Sequence, residues 1–288
     1  LNPFEKFIIN NKIDLLVFSD PSFYSLYCEN VKFVINIWNT ELKKLKVFNE
    51  LSGKNFIYQD RIISSSVLNA HKIIVFTQKN KDDLIKYYNC PSDKIAIQNL
   101  MPNLPNIFKN LENKVNFIEI YKTFNLDTNI RWFFYPAQFW AHKNHYSLIA
   151  LASSLKKRYA NKIKIVLTGT DKGNLRYIKG LIDKNNLKEI FIINGFIEKE
   201  LLIFLYKNAL ALTYVSYGGP ENLPPLEAFS LGCPVIASKN EGSIEQLGDA
   251  AILIDPNKTE IFLSMIEKIK NDEKFQDDFN HIFSEFLE

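Results

Sequence analysis

"EIFIINGFIEKELLIFLYKNALALTYVS", residues 189–216, reads as three pieces in a row. The first, 189–197, is a largely apolar run with Gly195 near its end, and the last, 210–216, is a second apolar run. Each has the length of a buried strand. Between them, 198–209 carries its apolar residues at helical spacing. Buried strands alternating with helices imply a parallel sheet covered on both faces.

The same alternation extends outward in both directions. Toward the N-terminus lie "RWFFYPAQ" (131–138) as a strand and its exit loop, and "KNHYSLIALASSLKKRYA" (143–160) as a helix. "KIKIVLTGT" (162–170) follows as a strand and "GNLRYIKGLIDKNN" (173–186) as a helix. Toward the C-terminus, "PPLEAFSLG" reads as a short helix stopped at Gly232, with "PVIAS" (234–238) as a strand. "SIEQLG" (243–248), the strand "AAILIDP" (250–256) and a closing helix from Lys258 complete the series. Six strands with helices between them make a doubly wound sheet. The first half gives about four strands, in 13–20, 31–38, 72–77 and 94–99, with helices at 61–71 and 79–88, so its sheet looks clipped. Residues 100 to about 128, with "MPNLPNIFKN" (101–110), break the rhythm and read as an extended connector. A partial N-terminal domain over 1–107, then linker and second domain over 108–288, is the expected division.

Composition narrows the function classes. Of 288 residues, 47% are hydrophobic and 23% charged, the make-up of a globular protein with a real core. The net charge of +3 is spread over many segments, so no nucleic-acid footprint is expected. Cys28, Cys90 and Cys233 are odd in number and unmatched by any Cys-x-x-Cys or Cys/His pair. This speaks against disulfides and zinc and points to a reducing, cytoplasmic compartment. No apolar run reaches the roughly 18 residues that would span a bilayer. The chain starts at Leu1, without a methionine, and we expect its natural N-terminus to lie further upstream.

In open parallel sheets ligands bind at the carboxyl ends of the strands. Four such loops carry chemistry-bearing residues. "YPAQFWAHKNH" (135–145) holds Gln138, His142, Lys143 and His145, with Lys143 expected to open the following helix as a phosphate site. With no Asp, Glu or Cys nearby, His142 and His145 are not expected to hold a metal. "LTGTDKGN" (167–174) offers Gly169 and Gly173 for close backbone approach, and the hydroxyls of Thr168 and Thr170. "INGFI" (193–197) offers Gly195 and Phe196. "GGPENLPPLEAFSLG" (218–232) sets Gly218, Gly219 and Pro220 as an elbow, Glu221 before it closes, and Pro224 and Pro225 in a helix's first turn. Glu227 lies within that turn or just beyond. Facing a cleft, it could accept hydrogen bonds from a vicinal diol such as a ribose. No Gly-x-Gly-x-x-Gly occurs, which counts against a nicotinamide dehydrogenase.

Taken in order, "YPAQFWAHKNH", "LTGTDKGN", "NGFI", "LLIFLYKNA" and "GGPENLPPLEAFSLGCPVIAS…QLGDAAILIDP" resemble the donor domain of retaining glycosyltransferases of family 4, the glycosyl transferases group 1. The resemblance spans about residues 129 to 255. "IIVFTQKNKDDLIKYYNCPSDKIAI" (73–97) resembles the acceptor side of that group. The resemblance implies an α/β GT-B fold, two Rossmann-like doubly wound parallel-sheet domains facing a cleft, the N-terminal one truncated. It implies hexosyl transfer from a nucleotide-diphosphate sugar to a glycan, lipid-linked or other hydroxyl acceptor. It also implies no metal or other cofactor, and allows peripheral association with the inner face of a membrane.

In that family an arginine and a lysine five residues apart grip the diphosphate. Lys143 matches the lysine, and Gln138 stands where the arginine would be. The second acid of the family's Glu-x7-Glu signature, which binds the ribose, matches Glu227. The first falls on Gly219, with Glu221 two residues on as a displaced stand-in. Lys143 and Glu221 are thus the expected catalytic residues. The expected donor-binding set is Gln138, Lys143, Gly169, Thr170, Gly195, Phe196, Gly219, Pro220, Glu221, Asn222, Leu223 and Glu227, with the backbone amides of 221–223 on the sugar and phosphate. An acceptor-side group is expected in "IWNTELKKLKVFNELS" (37–52), where Asn39 and Glu41 are the polar candidates. The charged residues missing at 138 and 219 leave a second reading open, a non-catalytic binder of nucleotide-sugars. A nucleotide-sugar epimerase on the same fold is a third.

Overall fold

β-branched and aromatic residues fill each short apolar run, and each becomes a parallel strand. The structure, a computed structural model, describes residues 1–102, 124, 130–159, 162–219, 221–258 and 264. The connector from 103, the boundary expected at 107/108, Pro220 and the closing helix after Lys258 lie outside the described residues. By its contacts the chain divides into one unit of Leu1–Leu100 with Gly218–Glu221, and another of Met101–Tyr217 with Asn222–Glu288.

The first unit opens with helix α1 (Pro3–Asn10), capped by Asn2. Strands β1 (Leu16–Phe18), β2 (Phe33–Asn36), β3 (Lys72–Val75) and β4 (Ile95–Ile97) follow and pair in that order, all parallel. Helix α2 (Gly53–Asn69) links β2 to β3, and α3 (Gln78–Tyr88) links β3 to β4. The four strands sit where the sequence places them. Helix α2 starts eight residues before the expected 61. Ser52 enters extended, Gly53 takes φ +59, and the polar first turns follow as helix. Phe33, Ile35 and Ile73 are fully buried against Ile63 and Val67 of α2 and Leu84 of α3. Helix α3 has both end signals in its sequence. The Thr77 side chain caps it on the Asn80 N–H, and Asn89 closes it in the left-handed region.

The second unit holds β5 (Arg131–Pro136), α4 (Ser147–Tyr159), β6 (Ile163–Thr168), α5 (Leu175–Lys184), β7 (Phe191–Asn194) and α6 (Lys199–Asn208). It continues with β8 (Ala211–Tyr214), α7 (Leu223–Ser230), β9 (Val235–Ser238), α8 (Glu241–Leu247) and β10 (Ile252–Ile254). Its sheet runs β10-β9-β8-β5-β6-β7, all parallel, the doubly wound arrangement. Winding outward from β5 proceeds first through β6 and β7, then returns to β8 and the opposite edge. The loops after β5 and β8 therefore diverge and leave a crevice at the carboxyl ends, the switch point. Trp132, Phe133, Phe134 and Tyr135 of β5 are buried at the sheet's centre. Phe134 meets Tyr206 of α6 edge-on, with ring centroids 5.0 Å apart.

One expectation is corrected here. Lys143 does not open a helix. Ala141–Lys143 form a single 3₁₀ turn, Asn144 takes φ 54, and α4 begins only at Ser147. The left-handed residue breaks the run because its carboxamide is pulled to the neighbouring loop, Nδ2 donating to Val215 O at 3.0 Å.

The β5 and β6 exit loops are stitched by backbone bonds. Ala137 N–H donates to Thr168 O at 2.9 Å, Phe139 N–H to Thr170 O at 3.0 Å, and Asn174 N–H to Phe139 O at 3.2 Å. Gly169 permits this with φ +144, and a Cβ there would fall 2.3 Å from Ala137 O. We predict that Gly169→Ala lowers stability by about 2 kcal/mol or more in urea unfolding. Gly173→Ala, at φ +102 with open space around it, should cost less. Wild-type stability for Gly169→Ala would refute the close approach.

Candidate active site

Lys143 reaches the crevice from the β5 exit loop and meets the end of β8. Its Nζ donates to Tyr214 Oη at 3.0 Å and to Asn222 Oδ1 at 3.3 Å. Tyr214 in turn donates to the same Asn222 oxygen at 2.9 Å. The Lys143 backbone is held as well. Tyr135, fully buried on β5, donates its hydroxyl to Lys143 O at 2.6 Å. Tyr217 N–H donates to His142 O at 2.9 Å. No carboxylate pairs with Lys143 among the described residues, so its charge faces neutral partners.

Asn222 serves this cluster because of the helix it begins. It is the N-cap of α7, yet its side chain makes no cap bond. A cap oxygen would accept from the N–H groups of the second or third helical residue. Those residues are Pro224 and Pro225, which have none. The carboxamide is left for Lys143 and Tyr214. The two prolines also reduce what the expected helix N-terminus can offer an anion. The Asn222 N–H donates to Gln246 Oε1 at 3.0 Å, and Gln246 Nε2 returns a bond to Asn222 O at 3.1 Å. The site's entry turn is thereby clamped to α8.

A cavity of about 250 Å³ collects Gln138, Gly169, Thr170, Gly195, Phe196 and Glu227 from the exit loops of β5, β6 and β7 and from α7. These are six of the expected donor-binding residues. Phe196 is 80% exposed at its edge. Glu227 is half-buried and accepts from the Tyr206 hydroxyl at 2.9 Å. Burial outweighs that bond and raises the Glu227 pKa above its usual 4.5. The Tyr206 hydroxyl, buried beside a carboxylate, is held well above its ordinary value. His145 is buried, stacked on Phe139 with centroids 4.4 Å apart. Burial holds it neutral, with a pKa lowered to about 3. Among the described residues no three of His, Cys, Asp and Glu stand so that they could hold a metal ion.

The other expected residues are not among those that line this cavity. Gly219 and Glu221 belong to the loop that groups with the first unit. The Glu221 carboxylate is buried and accepts from Asn80 Nδ2 at 3.3 Å and, at longer range, Thr77 Oγ1 at 3.5 Å. The Gly219 N–H donates to the Glu41 carboxylate, so an acid does stand at Gly219, brought from the 37–52 segment. Asn39 accepts from the Glu41 N–H at 2.6 Å. Leu223 is the first residue of α7. Pro220 lies outside the described residues. Tyr206, Tyr214 and Gln246 were not singled out in the sequence. The available signal was placement: Tyr214 is a polar-tipped aromatic ending a strand beside the switch point.

Comparison with known proteins identifies the family and the fold. The family model "Glycosyl transferases group 1" matches residues 116–282. The O-antigen chain mannosyltransferase RfbU of Salmonella typhimurium is 24% identical over 214 residues, 74% of this chain and 55% of that protein. The O-antigen chain mannosyltransferase B of Escherichia coli is 22% identical over 223 residues, 76% and 57%. The chain thus spans a little over half the length of these curated relatives. Among solved structures, Anabaena HepE in complex with UDP and glucose superposes with a TM-score of 0.76 at 14% identity, covering 98% of this chain and 76% of HepE. Among the described residues no helix is long and apolar enough to cross a membrane. The chain belongs to the glycosyl transferases group 1 family and has its GT-B type of α/β fold.

Proposed function

We propose that this chain serves a retaining glycosyltransferase that moves a sugar from a nucleoside diphosphate to an acceptor hydroxyl. The observation that carries the reading is Lys143, a cation fixed at the switch point between two neutral partners. A charge held without a carboxylate is set to receive an anion, and the donor's diphosphate is one. In the transfer, the acceptor oxygen attacks the anomeric carbon on the face that the diphosphate leaves. The sugar–oxygen bond breaks, and a departing phosphate oxygen takes the acceptor proton. Two events on one face keep the anomeric configuration. The protein's share is positioning, and stabilisation of the charge that grows on the leaving group. No resident metal enters this scheme. Glu227 accepts the ribose hydroxyls, and Gly169, Thr170 and Gly195 give the nucleoside a close-fitting wall. The relatives' names make mannose the first sugar to test and a glycan hydroxyl the first acceptor.

Calorimetry with nucleoside diphosphates tests the reading. Lys143→Ala should weaken nucleoside diphosphate binding about 10- to 100-fold, the scale of a lost charge-assisted bond, and leave the bare nucleoside unaffected. Unchanged diphosphate affinity would remove the phosphate role. Binding without transfer from any sugar donor would instead favour a non-catalytic binder.

Glu227 gives a second test with two opposed readouts. Because burial raises its pKa, the charged form is penalised in the folded state. Its contribution is most favourable below the usual value near 4.5 and declines as pH rises through the higher folded value. Glu227→Gln should therefore leave the melting temperature at pH 7 equal or higher, with any gain vanishing toward pH 4. The same variant should bind ribonucleotides and their 2′-deoxy forms alike, whereas the wild type separates them. A variant that melts lower at pH 7, or still separates the two sugars, contradicts the assignment.

A further inference from the structure

The β5 exit loop carries a neutral residue, Gln138, at the mouth of the cavity. Its amide is oriented by Trp140, whose Nε1 donates to Gln138 Oε1 at 2.8 Å. That bond engages the oxygen, and among the described residues no partner takes the Nε2 donor. On the face of the same Trp140 ring lies Lys172 Nζ, 5.7 Å from the centroid. Lys172 belongs to the β6 exit loop, which the backbone bonds of Ala137, Phe139 and Asn174 stitch to the loop of Gln138. Two loops thus bring a positive charge and a neutral amide to the same indole.

That charge is available to a ligand. Lys172 is exposed, and among the described residues no carboxylate pairs with it. Its neighbour Asp171 uses Oδ1 to accept from the Gly173 N–H at 2.8 Å and the Leu175 N–H at 3.2 Å. A lysine resting on an aromatic face can keep its methylene stem there while the ammonium swings to an anion.

We infer that Lys172, carried on Trp140, is a second cation for the donor's diphosphate, with Gln138 as a neutral hydrogen-bond donor beside it. Trp140 is then a positioning residue for both. The inference rests on the donor reading above. A lysine on a flexible stem gives a movable point charge in place of the rigid, two-pronged grip of a guanidinium.

Calorimetry of the chain with UDP, GDP and the corresponding nucleosides, at low and high salt, tests it. Lys172→Ala should weaken diphosphate binding about 5- to 10-fold at low salt, between an exposed ion pair and a desolvated charged bond. It should also flatten the salt dependence and leave nucleoside binding unchanged. Trp140→Phe should lose part of the same increment. Gln138→Arg placed in the Lys172→Ala background should restore it. The inference is overturned if Lys172→Ala binds diphosphates like the wild type, or if nucleosides lose affinity equally, which would mark a structural effect. Failure of the wild type itself to bind either diphosphate sinks the donor reading, and this inference with it.

Discussion

A tyrosine hydroxyl at the end of one strand ties together the loops that leave two neighbouring strands. Tyr214 accepts from Lys143, which follows β5, and donates to Asn222, which begins α7. The winding of the sheet reverses between β5 and β8, so these loops part company as they leave it. Without a shared polar anchor the lysine would be a mobile surface charge. Tyr135 repeats the device one layer deeper, holding the Lys143 carbonyl from inside the core. The sheet's aromatic centre thus supplies stiffness around a charge held at a fixed place.

The layout of the fold was largely legible in the sequence, because strands buried on both faces must read as short continuous apolar runs. All ten such runs became strands, and the strand-end glycines marked the loops that line the cavity. Boundaries set by local backbone chemistry were harder to read. Helix α2 starts at a glycine in a left-handed turn, and α4 is delayed by Asn144 in the same region, though apolar spacing suggested otherwise in both cases.

Sequence reasoning singled out Lys143 and Glu227, and the structure sets the first beside Tyr214 and Asn222 and the second in the cavity wall. The site was opaque where partners come from distant elements. Tyr206, Tyr214 and Gln246 act through one or two side-chain hydrogen bonds each, which leave no trace in spacing or composition. The paired acids raised a similar difficulty. Glu221 and Glu227 are six residues apart, yet one is buried against Asn80 and the other lines the cavity. The turn between them, not their number, decides their surroundings.

The double proline at the start of α7 also restricts which residue can precede it. As helix caps, asparagine and aspartate are about equivalent. Here the cap side chain points at Lys143 instead of at the helix. An aspartate would neutralise the lysine in an ion pair. At position 222 a neutral acceptor therefore leaves the Lys143 charge uncompensated, where the helix alone would accept a neutral or an acidic cap equally.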